Sequence, residues 1–446
     1  MAKGPSASAI APARLAAYRI LQRVEEEGAY ASVLLTTQEN LSEKDRALSY
    51  ELTMGVLRWQ LMLDRLISHY SNRDAERLDT AVRLILRLGL YQLRFLSRVP
   101  PSAAVNDAVK LVRFARIRSA DKFVNAVLRR AVREPDYDPL EVIDDPLERI
   151  AVETSHPRLM IERWSRSFGP HEAQAFARAN NEAAPVSFRL AAPRIDASDI
   201  FDQLKESNAS VIPSTIVRNG WRVQGGTDAV RRLAQDGQVY LQDEASQLVS
   251  QILDPLRGQI VLDLCAAPGS KTTHLAALAD GKAFVVAGDL HERRLNLIRQ
   301  TAHLQNLGGV HCVVLDGQFP PFREANFDRV LIDAPCSGTG TLRRNPEIRW
   351  RISPAYIEEL SSRQKRLLHS AANLVKPGGR LVYSTCSVEV EENEIVAADF
   401  LERHTAFFMM QPAVDPALIT RSGAVRTWPH QQRTDGFFIA AFERRA

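Results

Sequence analysis

The spacing of apolar residues divides the chain into a helical half and a half in which strands alternate with helices. Within residues 13–133, apolar positions recur every three or four residues, most clearly in Val82–Leu96, and this period predicts amphipathic helices. From residue 230 onward, short apolar runs alternate with amphipathic stretches. This alternation is typical of an α/β fold with a doubly wound, mostly parallel, Rossmann-like sheet and right-handed crossovers. The runs predict strands at 260–264, 283–288, 310–315, 328–332, 379–384 and 436–442, and the stretches predict helices at 271–279, 291–306, 355–375 and 391–402.

A linker and a small mixed unit lie between these two patterns. Prolines and acidic residues at 134–148 interrupt the helical pattern and indicate a linker. Residues 186–190 and 210–212 have the pattern of short strands around a helix near 197–207, which predicts a small α+β unit. The resulting organisation is a flexible tail at 1–12, an all-α domain at 13–145, an α+β unit at 146–229 and an α/β domain at 230–446.

Length and composition fit a soluble protein of two or three domains, since the chain has 446 residues, of which 45% are hydrophobic and 25% charged. No run of 18 apolar residues occurs, so no membrane span is expected, and the N-terminus lacks a secretory pattern. The four cysteines are too few for a disulfide framework and lack the spacing of zinc ligands. We therefore expect a cytoplasmic protein with free thiols and no metal site.

Basic residues are concentrated in the helical half. The net charge of the whole chain is +4, but residues 77–133 contain thirteen lysines and arginines against three acids. This local excess indicates a polyanionic partner. Four of the arginines fall within about 60° of one another on a helical wheel and predict a cationic stripe opposite the core face, with a solvated helix face as the alternative interpretation. They are Arg83, Arg87, Arg94 and Arg98.

A loop of small residues follows the predicted strand at 260–264. It turns into a helix whose N-terminus favours an anionic group, and Lys271 lies in the first turn of that helix. The Walker pattern requires glycine directly before the lysine, where Ser270 stands here, and the loop is not GxGxxG, so neither a P-loop nor a typical NAD site is expected. An amino-acid carboxylate beside a nucleoside, as in S-adenosylmethionine, fits better. The candidate cofactor-binding residues are Cys265, Ala266, Ala267, Pro268, Gly269, Ser270 and Lys271.

Two further carboxylates follow the next two predicted strands. Asp289 comes roughly 20 residues after the loop, a spacing at which a carboxylate can accept both ribose hydroxyls. Asp316 ends the third strand, where an adenine would lie. Each residue alone could equally cap a helix, but their regular placement after successive strands favours cofactor binding.

Two cysteines occupy loops that follow predicted strands. Cys336 lies in the segment Asp333-Ala-Pro-Cys-Ser-Gly-Thr-Gly, and Cys386 lies between Thr385 and Ser387. Asp333 is a candidate both for cofactor binding and for catalysis, since a carboxylate here could hydrogen-bond the N3 edge of a cytosine and so make C6 electrophilic toward a thiol. Spacing alone does not decide which thiol attacks. The other two cysteines, Cys265 and Cys312, are expected to be structural.

These motifs resemble those of the RNA (cytosine-5)-methyltransferases, which depend on S-adenosylmethionine. The resemblance implies that Cys386 attacks C6 of cytosine, that C5 then takes the methyl group, and that Cys336 assists release of the enzyme. In the related DNA methyltransferases, the thiol of the Pro-Cys motif attacks instead. The one departure is Ser270, where the family usually has glycine. The matching segments are Gln242–Gln247, Cys265–Lys271, Asp289, Asp316, Asp333–Gly340, Thr385–Ser387 and Asp435–Phe438.

The helical half resembles the NusB RNA-binding fold, through its helix pattern and the segment Lys122–Leu128. A NusB-like domain joined to such a catalytic domain resembles bacterial methyltransferases of 16S ribosomal RNA. The resemblance implies this RNA as the partner, naked or in early small-subunit particles, and a monomeric enzyme. The alternatives are a non-catalytic NusB-like RNA-binding factor, and a cytosine-5 methyltransferase of another RNA or of DNA. The candidate RNA-binding residues are Arg83, Arg87, Arg94, Arg98, Arg343 and Arg344.

Overall fold

The computed structural model describes residues 10–38 and 40–446, and the chain forms two compact units. The first contains Met1–Glu182 and Leu342–Arg351, and the second contains Ala183–Thr341 and Ile352–Ala446. Most of the predicted tail, residues 1–9, lies outside the described residues. Ile10 is already buried in the core of the first unit. The helical unit therefore includes residues before position 13, where the sequence analysis places its start.

The first unit is all-α, as predicted. Its core consists of apolar side chains from Ile10 to Ala131. The helix that carries the predicted arginine stripe begins after Asp79, whose carboxylate accepts hydrogen bonds from the amides of Ala81 (2.9 Å) and Val82 (3.3 Å). The helices are α1 (Pro12–Glu27), α2 (Ala31–Thr36), α3 (Glu43–Arg58), α4 (Gln60–Ser71), α5 (Thr80–Phe95), α6 (Pro101–Phe114), α7 (Asp121–Arg133), α8 (Pro146–Thr154), α9 (Arg158–Phe168) and α10 (Pro170–Ala179).

The segment Leu342–Arg351 belongs to this helical unit although it comes much later in the chain. Arg349 is fully buried and donates hydrogen bonds to the carbonyl oxygens of Arg58 (3.1 Å) and Ser155 (2.9 Å). It also donates to the side-chain oxygen of Asn181 (3.1 Å). Burial lowers the pKa of Arg349 to about 9, and the nearby Arg58 acts in the same direction. The guanidinium thus supplies donors to carbonyl groups that are buried within the unit.

The prediction that Arg87 belongs to an exposed arginine stripe is wrong. This side chain is only 3% exposed, and its guanidinium binds both carboxylate oxygens of Asp64 at 2.7 Å. Glu25 lies 3.8 Å from Arg87 and also accepts a 2.8 Å hydrogen bond from Arg83. The wheel places the arginines on one side of α5, but it does not reveal that α1 and α4 supply acids to that side. Arg87 is therefore part of the packing of the unit and has no exposed guanidinium to offer to RNA.

The other predicted RNA-binding arginines differ in exposure. Arg94 is exposed and donates a 2.7 Å hydrogen bond to the carbonyl of Tyr137. Arg98 is exposed in the turn after α5. Arg343 is 2% exposed, so the expectation that it contacts RNA is corrected as well, while Arg344 is half-buried. Other elements of the fold can cover a charged segment, and the sequence around Arg343 and Arg344 does not reveal that this segment is covered.

The second unit begins with a small α+β fold, of which the sequence predicts the first two of four strands and the first of two helices. Its four antiparallel strands have the order β2-β3-β1-β4, and the β-α-β-β-α-β succession is ferredoxin-like. The fourth strand lies beyond residue 229, where the sequence analysis places the boundary, because pairing with β1 draws it into this sheet. The elements are β1 (Val186–Leu190), α11 (Ala197–Glu206), β2 (Ser210–Pro213), β3 (Gly220–Gln224), α12 (Thr227–Gln235) and β4 (Val239–Leu241).

The large sheet is mostly parallel, and its path is β10-β12-β9-β8-β5-β6-β7, with β11 paired to β12. The six predicted strands and four predicted helices are confirmed, with ends that differ by a few residues. The two unpredicted strands contain only three and two residues, too few for a periodic pattern. The strands are β5 (Ile260–Asp263), β6 (Phe284–Asp289), β7 (Val310–Val314), β8 (Phe327–Asp333), β9 (Val375–Thr385), β10 (Phe407–Met409), β11 (Val425–Arg426) and β12 (Phe438–Arg444).

Helices cover this sheet and contribute to its two apolar cores. Strands β5 to β9 are parallel to their neighbours, whereas β12 runs antiparallel to β9. Across the described part of the chain, no helix is long and apolar enough to cross a membrane. The helices are α13 (Glu244–Leu253), α14 (Ser270–Leu278), α15 (Glu292–Leu304), α16 (Pro354–Ala372), α17 (Glu394–Arg403) and α18 (Pro429–Gln432).

Candidate active site

The carboxyl ends of four parallel strands meet at one edge of the large sheet. Asp263 ends β5, Asp289 ends β6, Asp333 ends β8 and Thr385 ends β9. The chain runs outward from β5 to β7 and returns as β8 on the other side of β5. Ligands of doubly wound sheets bind where the direction of winding reverses in this way. The motifs found in the sequence therefore lie side by side at the expected place.

The loop after β5 reaches α14 through a glycine that no other residue could replace without strain. Gly269 has a φ angle of 104°, a backbone conformation that residues with a Cβ atom rarely adopt. A Cβ atom at this position would lie 2.9 Å from Cγ1 of Ile298 on α15. The close approach leaves the N-terminus of α14 facing the edge of the sheet, and Lys271 follows in its first turn. Free amides at a helix N-terminus are suited to an anionic group.

The two carboxylates predicted to bind the nucleoside are both fixed by backbone amides. Asp289 is 6% exposed and accepts hydrogen bonds from the amides of Ala267 (3.3 Å) and His291 (3.0 Å). The guanidinium of Arg294 lies 3.5 Å from the same carboxylate. Asp316 is half-buried and accepts a 2.9 Å hydrogen bond from the amide of Gln318. Asp289 thereby ties the cofactor loop to the end of β6, and the binding roles of both residues stay predictions.

Asp263 is a site residue to which the sequence analysis gives no role. Its side chain is 1% exposed, and Oδ2 accepts a 2.7 Å hydrogen bond from Thr272. The second oxygen, Oδ1, is buried and accepts no hydrogen bond from any of the described residues. Burial raises the pKa of Asp263 to about 7. A buried acceptor without a partner at the start of the loop suits a ligand that brings a donor, such as an amino group.

Lys271 joins the cofactor loop to the strand that carries Asp333. Its ammonium lies 2.6 Å from Oδ2 of Asp333, and Ser384 donates a 2.8 Å hydrogen bond to Oδ1. The ammonium also lies 5.1 Å from the ring centroid of Phe437. Burial opposes the charge of Lys271, but the Asp333 carboxylate more than offsets it and raises the pKa of Lys271, with Cys386 acting in the same direction. The site therefore holds a buried cation close to both Asp333 and Cys386.

The thiols of Cys336 and Cys386 lie together at the end of β8 and β9. Their Sγ atoms are 3.3 Å apart, within hydrogen-bond distance for sulfur. The amide of Gly340 donates to the carbonyl of Cys386 at 2.9 Å, and a Cβ on Gly340 would lie 1.9 Å from the carbonyl oxygen of Gly436. The hydrogen bond with Cys386 and burial raise the pKa of Cys336 well above its ordinary value.

The remaining cysteines have surroundings typical of structural residues. Burial raises the pKa of Cys265 and of Cys312, so neither thiol is activated. Cys312 lies in β7, as predicted, and its sulfur is 3.9 Å from the carbonyl of Leu295. Over residues 10–38 and 40–446, no group of three or more His, Cys, Asp or Glu side chains is placed to hold a metal ion.

Glu392 is a second site residue that the sequence interpretation missed. The sequence has three acids shortly after Cys386, which would be expected to oppose thiol activation. One of them, Glu392, does act in this direction on the pKa of Cys336. It is fully buried and accepts hydrogen bonds from the amide of Ser337 (2.9 Å) and the hydroxyl of Ser387 (2.5 Å). The hydroxyl of Ser337 also donates to it. Its carboxylate therefore contacts the residue that follows each of the two thiols.

Replacing Asp289 by alanine is expected to weaken binding of S-adenosylmethionine by about 1.5–3 kcal/mol, the scale of charge-assisted hydrogen bonds. Isothermal titration calorimetry on the purified protein measures this directly. Asp289→Asn separates charge from shape, since it keeps one acceptor for the Ala267 amide. Glu292→Ala, an exposed carboxylate on α15, is the matched control and should bind normally. Unchanged affinity of Asp289→Ala would remove this residue from the site.

Family comparisons match three consecutive parts of the chain. Residues 11–133 match the NusB family, and residues 156–229 match the ferredoxin-like domain of RsmF/B-like methyltransferases. Residues 250–443 match the family described as 16S rRNA methyltransferase RsmB/F. The three matches follow the same order as the helical unit, the four-stranded sheet and the large sheet.

Relatives match over nearly the whole chain. The probable ribosomal RNA small subunit methyltransferase B of Bacillus subtilis (strain 168) is 33% identical over 443 residues, covering 96% of this chain and 98% of its own. The protein of the same name from Synechocystis sp. is 34% identical over 448 residues, covering 97% and 99%. Among solved structures, the crystal structure of PH0851 superposes with a TM-score of 0.83 at 28% identity, covering 99% of this chain and 100% of that one.

The fold and the site define a methyltransferase that depends on S-adenosyl-L-methionine. More narrowly, the chain belongs to the 16S rRNA methyltransferase RsmB/F family. Two features of the site fit the cofactor of this class. Among the described residues no donor reaches the buried Oδ1 of Asp263, and the glycine backbone at position 269 leads into the N-terminus of α14.

Proposed function

We propose that this protein methylates C5 of one cytosine in 16S ribosomal RNA through a covalent bond between Cys386 and C6 of the base. The observation that carries the proposal is the pair of thiols 3.3 Å apart, beside Asp333 and the buried Lys271 ammonium. A non-catalytic RNA-binding factor has no use for this arrangement. The relatives named as small-subunit RNA methyltransferases support ribosomal RNA as the substrate.

The roles of the cofactor residues follow from their place along the sheet edge. Lys271 and the loop Cys265–Gly269 face the methionine end, where Asp263 accepts a hydrogen bond from the amino group. Asp289 binds the ribose and Asp316 lies beside the adenine. When bound, S-adenosylmethionine supplies an electrophilic methyl group to C5. Apart from Lys271, these residues orient the cofactor without taking part in bond making.

Attack by the thiolate of Cys386 forms the S–C6 bond and pushes electrons toward N3 of the cytosine. Asp333 lies at this edge of the base, and the Lys271 ammonium 2.6 Å away provides the proton that neutralises N3 as charge develops there. After methylation, solvent takes the C5 proton, the C5–H bonding electrons restore the C5–C6 double bond and expel the thiolate of Cys386, and N3 returns its proton to Lys271. These steps regenerate both the aromatic base and the free enzyme.

The two thiols are not equivalent in this scheme. The resemblance to the RNA family makes Cys386 the attacking thiolate, and Cys336 lies 3.3 Å from it. As a hydrogen-bond donor, Cys336 supports a thiolate on Cys386. After methyl transfer, Cys336 is close enough to exchange a proton during release. The resemblance to the RNA family, and not the geometry of the pair, favours Cys386 over Cys336 as the nucleophile.

Mapping of 5-methylcytosine tests the proposal. Small-subunit ribosomal RNA from cells without the protein is incubated with purified enzyme and cofactor, both naked and in isolated small-subunit particles, and then sequenced after bisulfite treatment. One newly protected cytosine is expected, and none with Cys386→Ala. Methyl groups on another base or another atom, found by mass spectrometry of nucleosides, would refute the assignment of C5.

Exposed arginines of the helical unit are proposed to contact RNA phosphates, and Arg98 offers a clean test. Arg98→Gln should lower RNA affinity and reduce the slope of log affinity against log salt by nearly one, the loss of one phosphate contact. Arg87→Gln is the matched comparison, because it breaks a buried ion pair, so it should lower thermal stability and leave the slope unchanged. Fluorescence anisotropy at several salt concentrations measures both. Equal slopes for wild type and Arg98→Gln would exclude this contact.

A further inference from the structure

The serines that follow the two thiols share one buried carboxylate oxygen. Ser337 comes directly after Cys336, and Ser387 comes directly after Cys386. Both hydroxyls donate to Oε2 of Glu392, and the two hydroxyl oxygens lie 3.0 Å from each other. The loops that carry the thiols are thus joined through this oxygen, in addition to the hydrogen bond from the Gly340 amide to the Cys386 carbonyl.

Glu392 is itself held from several sides. Gln364 on α16 donates from one amide nitrogen to Oε1 of Glu392 and to the carbonyl of Pro335, both at 2.9 Å. The hydroxyl of Tyr383, on β9, donates to the carbonyl of Glu392 at 2.6 Å. The carboxylate therefore has neutral donors on both oxygens, and within the described residues no lysine or arginine pairs with it. A buried charge without a counter-ion costs free energy unless hydrogen bonds compensate for it.

We infer that Glu392 is a positioning residue that keeps the two thiol loops in register, so that Cys336 and Cys386 remain within hydrogen-bond distance. The inference rests on the proposed function and deepens it. Attack on C6 needs only the Cys386 loop, whereas release needs Cys336 held beside it. Loss of the shared carboxylate therefore impairs release more than attack.

Glutamine cannot replace this carboxylate, although it has the same size. An amide has one acceptor oxygen, while Glu392 uses two oxygens to accept from the Ser337 amide, the hydroxyl groups of Ser337 and Ser387, and Gln364. The NH2 group of the substituted side chain would face donors. We therefore expect the two loops to separate in the Glu392→Gln variant while the rest of the sheet stays folded.

Formation of a disulfide measures the separation of the thiols without any RNA. Diamide accepts two electrons and two protons from the thiols, which become a disulfide while diamide becomes the hydrazine. The bond forms only when the sulfurs close from 3.3 Å to about 2.05 Å. Peptide mass spectrometry identifies the Cys336–Cys386 link and separates it from reactions of Cys265 and Cys312. The Glu392→Gln variant should form this link at least about tenfold more slowly than wild type, since small displacements strongly reduce effective molarity.

The second readout is the fate of the RNA adduct in a single turnover. Glu392→Gln should accumulate a covalent protein–RNA complex and show a lower kcat with nearly unchanged KM for RNA and cofactor. Glu392→Asp keeps the carboxylate and should restore part of both the oxidation rate and the turnover. Glu402→Gln removes an exposed charge on α17 and should behave as wild type.

The outcomes separate this inference from the proposed function. If Glu392→Gln forms the disulfide as fast as wild type and releases RNA normally, Glu392 does not position the thiols. If oxidation is slowed but wild type makes no 5-methylcytosine, the positioning role stands and the proposed reaction fails. If circular dichroism shows that Glu392→Gln does not fold, the double variant Ser337→Ala with Ser387→Ala replaces it. This variant removes the two hydroxyl groups that donate to Oε2 and retains the carboxylate. A wild-type oxidation rate in that variant would equally overturn the inference.

Discussion

Cys386→Ala is expected to abolish both methyl transfer and any covalent protein–RNA complex, whereas Cys336→Ala should trap such a complex. The reason is the difference in roles between two sulfurs only 3.3 Å apart. Without Cys386 no S–C6 bond can form. Without Cys336 the bond forms and C5 is methylated, but release stalls because no thiol remains to exchange a proton beside the adduct. Denaturing gel electrophoresis with labelled RNA, in the presence of cofactor, measures the complex.

A third cysteine supplies the control for this experiment. Cys312→Ala removes a thiol from β7 that has a structural environment, and it should leave activity near the wild-type value. The contrary outcome is equally well defined. If Cys386→Ala traps RNA while Cys336→Ala has neither adduct nor activity, the enzyme uses its thiols in the manner of the DNA methyltransferases. The assignment of the nucleophile would then be reversed.

Asp333→Asn is expected to lower kcat by about 10²- to 10³-fold, the cost of removing one preorganised group that stabilises developing charge. The amide keeps the shape of the side chain but loses its charge. It therefore leaves the Lys271 ammonium, which lies 2.6 Å from the carboxylate, buried without an anion. The base also loses its partner at N3. Single-turnover kinetics with saturating RNA separates this effect from substrate binding.

The same variant should change the dependence of stability on pH. Asp333 raises the pKa of Lys271 in the folded protein, so the ion pair contributes its full stability below the ordinary pKa of lysine, about 10.4. That contribution is lost as pH rises through the raised, folded-state pKa. In Asp333→Asn burial of Lys271 is no longer offset, so its folded-state pKa shifts downward and this alkaline loss of stability should disappear. Denaturant unfolding between about pH 8 and 11 measures the shift.

Asp328→Asn is the matched control for this prediction. Asp328 lies on the same strand, β8, and forms a 2.9 Å pair with Lys376 that is partly exposed to solvent. Solvent screens such pairs, so removal of this charge should have little effect on either kcat or the alkaline limb. A loss of activity equal to that of Asp333→Asn would indicate damage to the sheet and would contradict the role assigned to Asp333.

The sequence predicts the sheet edge well because parallel strands impose a simple rule. A residue at the carboxyl end of one strand lies near the residues at the ends of its neighbours, and this brings Asp333 beside Ser384 in register. Apolar runs of four or more residues suffice to find such strands. The order of Asp289 and Cys386 along the edge therefore follows from the sequence. Strands of two or three residues leave no comparable signal.

The predictions that failed depend on contacts between residues far apart in the chain. Arg87 has the pattern of an exposed arginine, but Asp64 on α4 encloses its guanidinium. Glu392 has the pattern of a surface acid, yet two serines from separate loops bring donors to it. The sequence gives Asp263 no role because its importance lies in an acceptor left without a donor, which only a structure reveals. In all three cases the sequence does not show that the charged side chain is buried.

The segment Leu342–Arg351 interrupts the sequence of the second unit and belongs to the first. Because this segment belongs to the helical unit, the polypeptide passes from one unit to the other three times. A single proteolytic cut therefore cannot free either unit intact. A fragment that ends at Glu182 would lack Arg349, and the carbonyls of Arg58 and Ser155 would lose their buried donor. Exchange of the helical unit between homologous enzymes by recombination would have to transplant this distant insert as well, so the two units are constrained to evolve together.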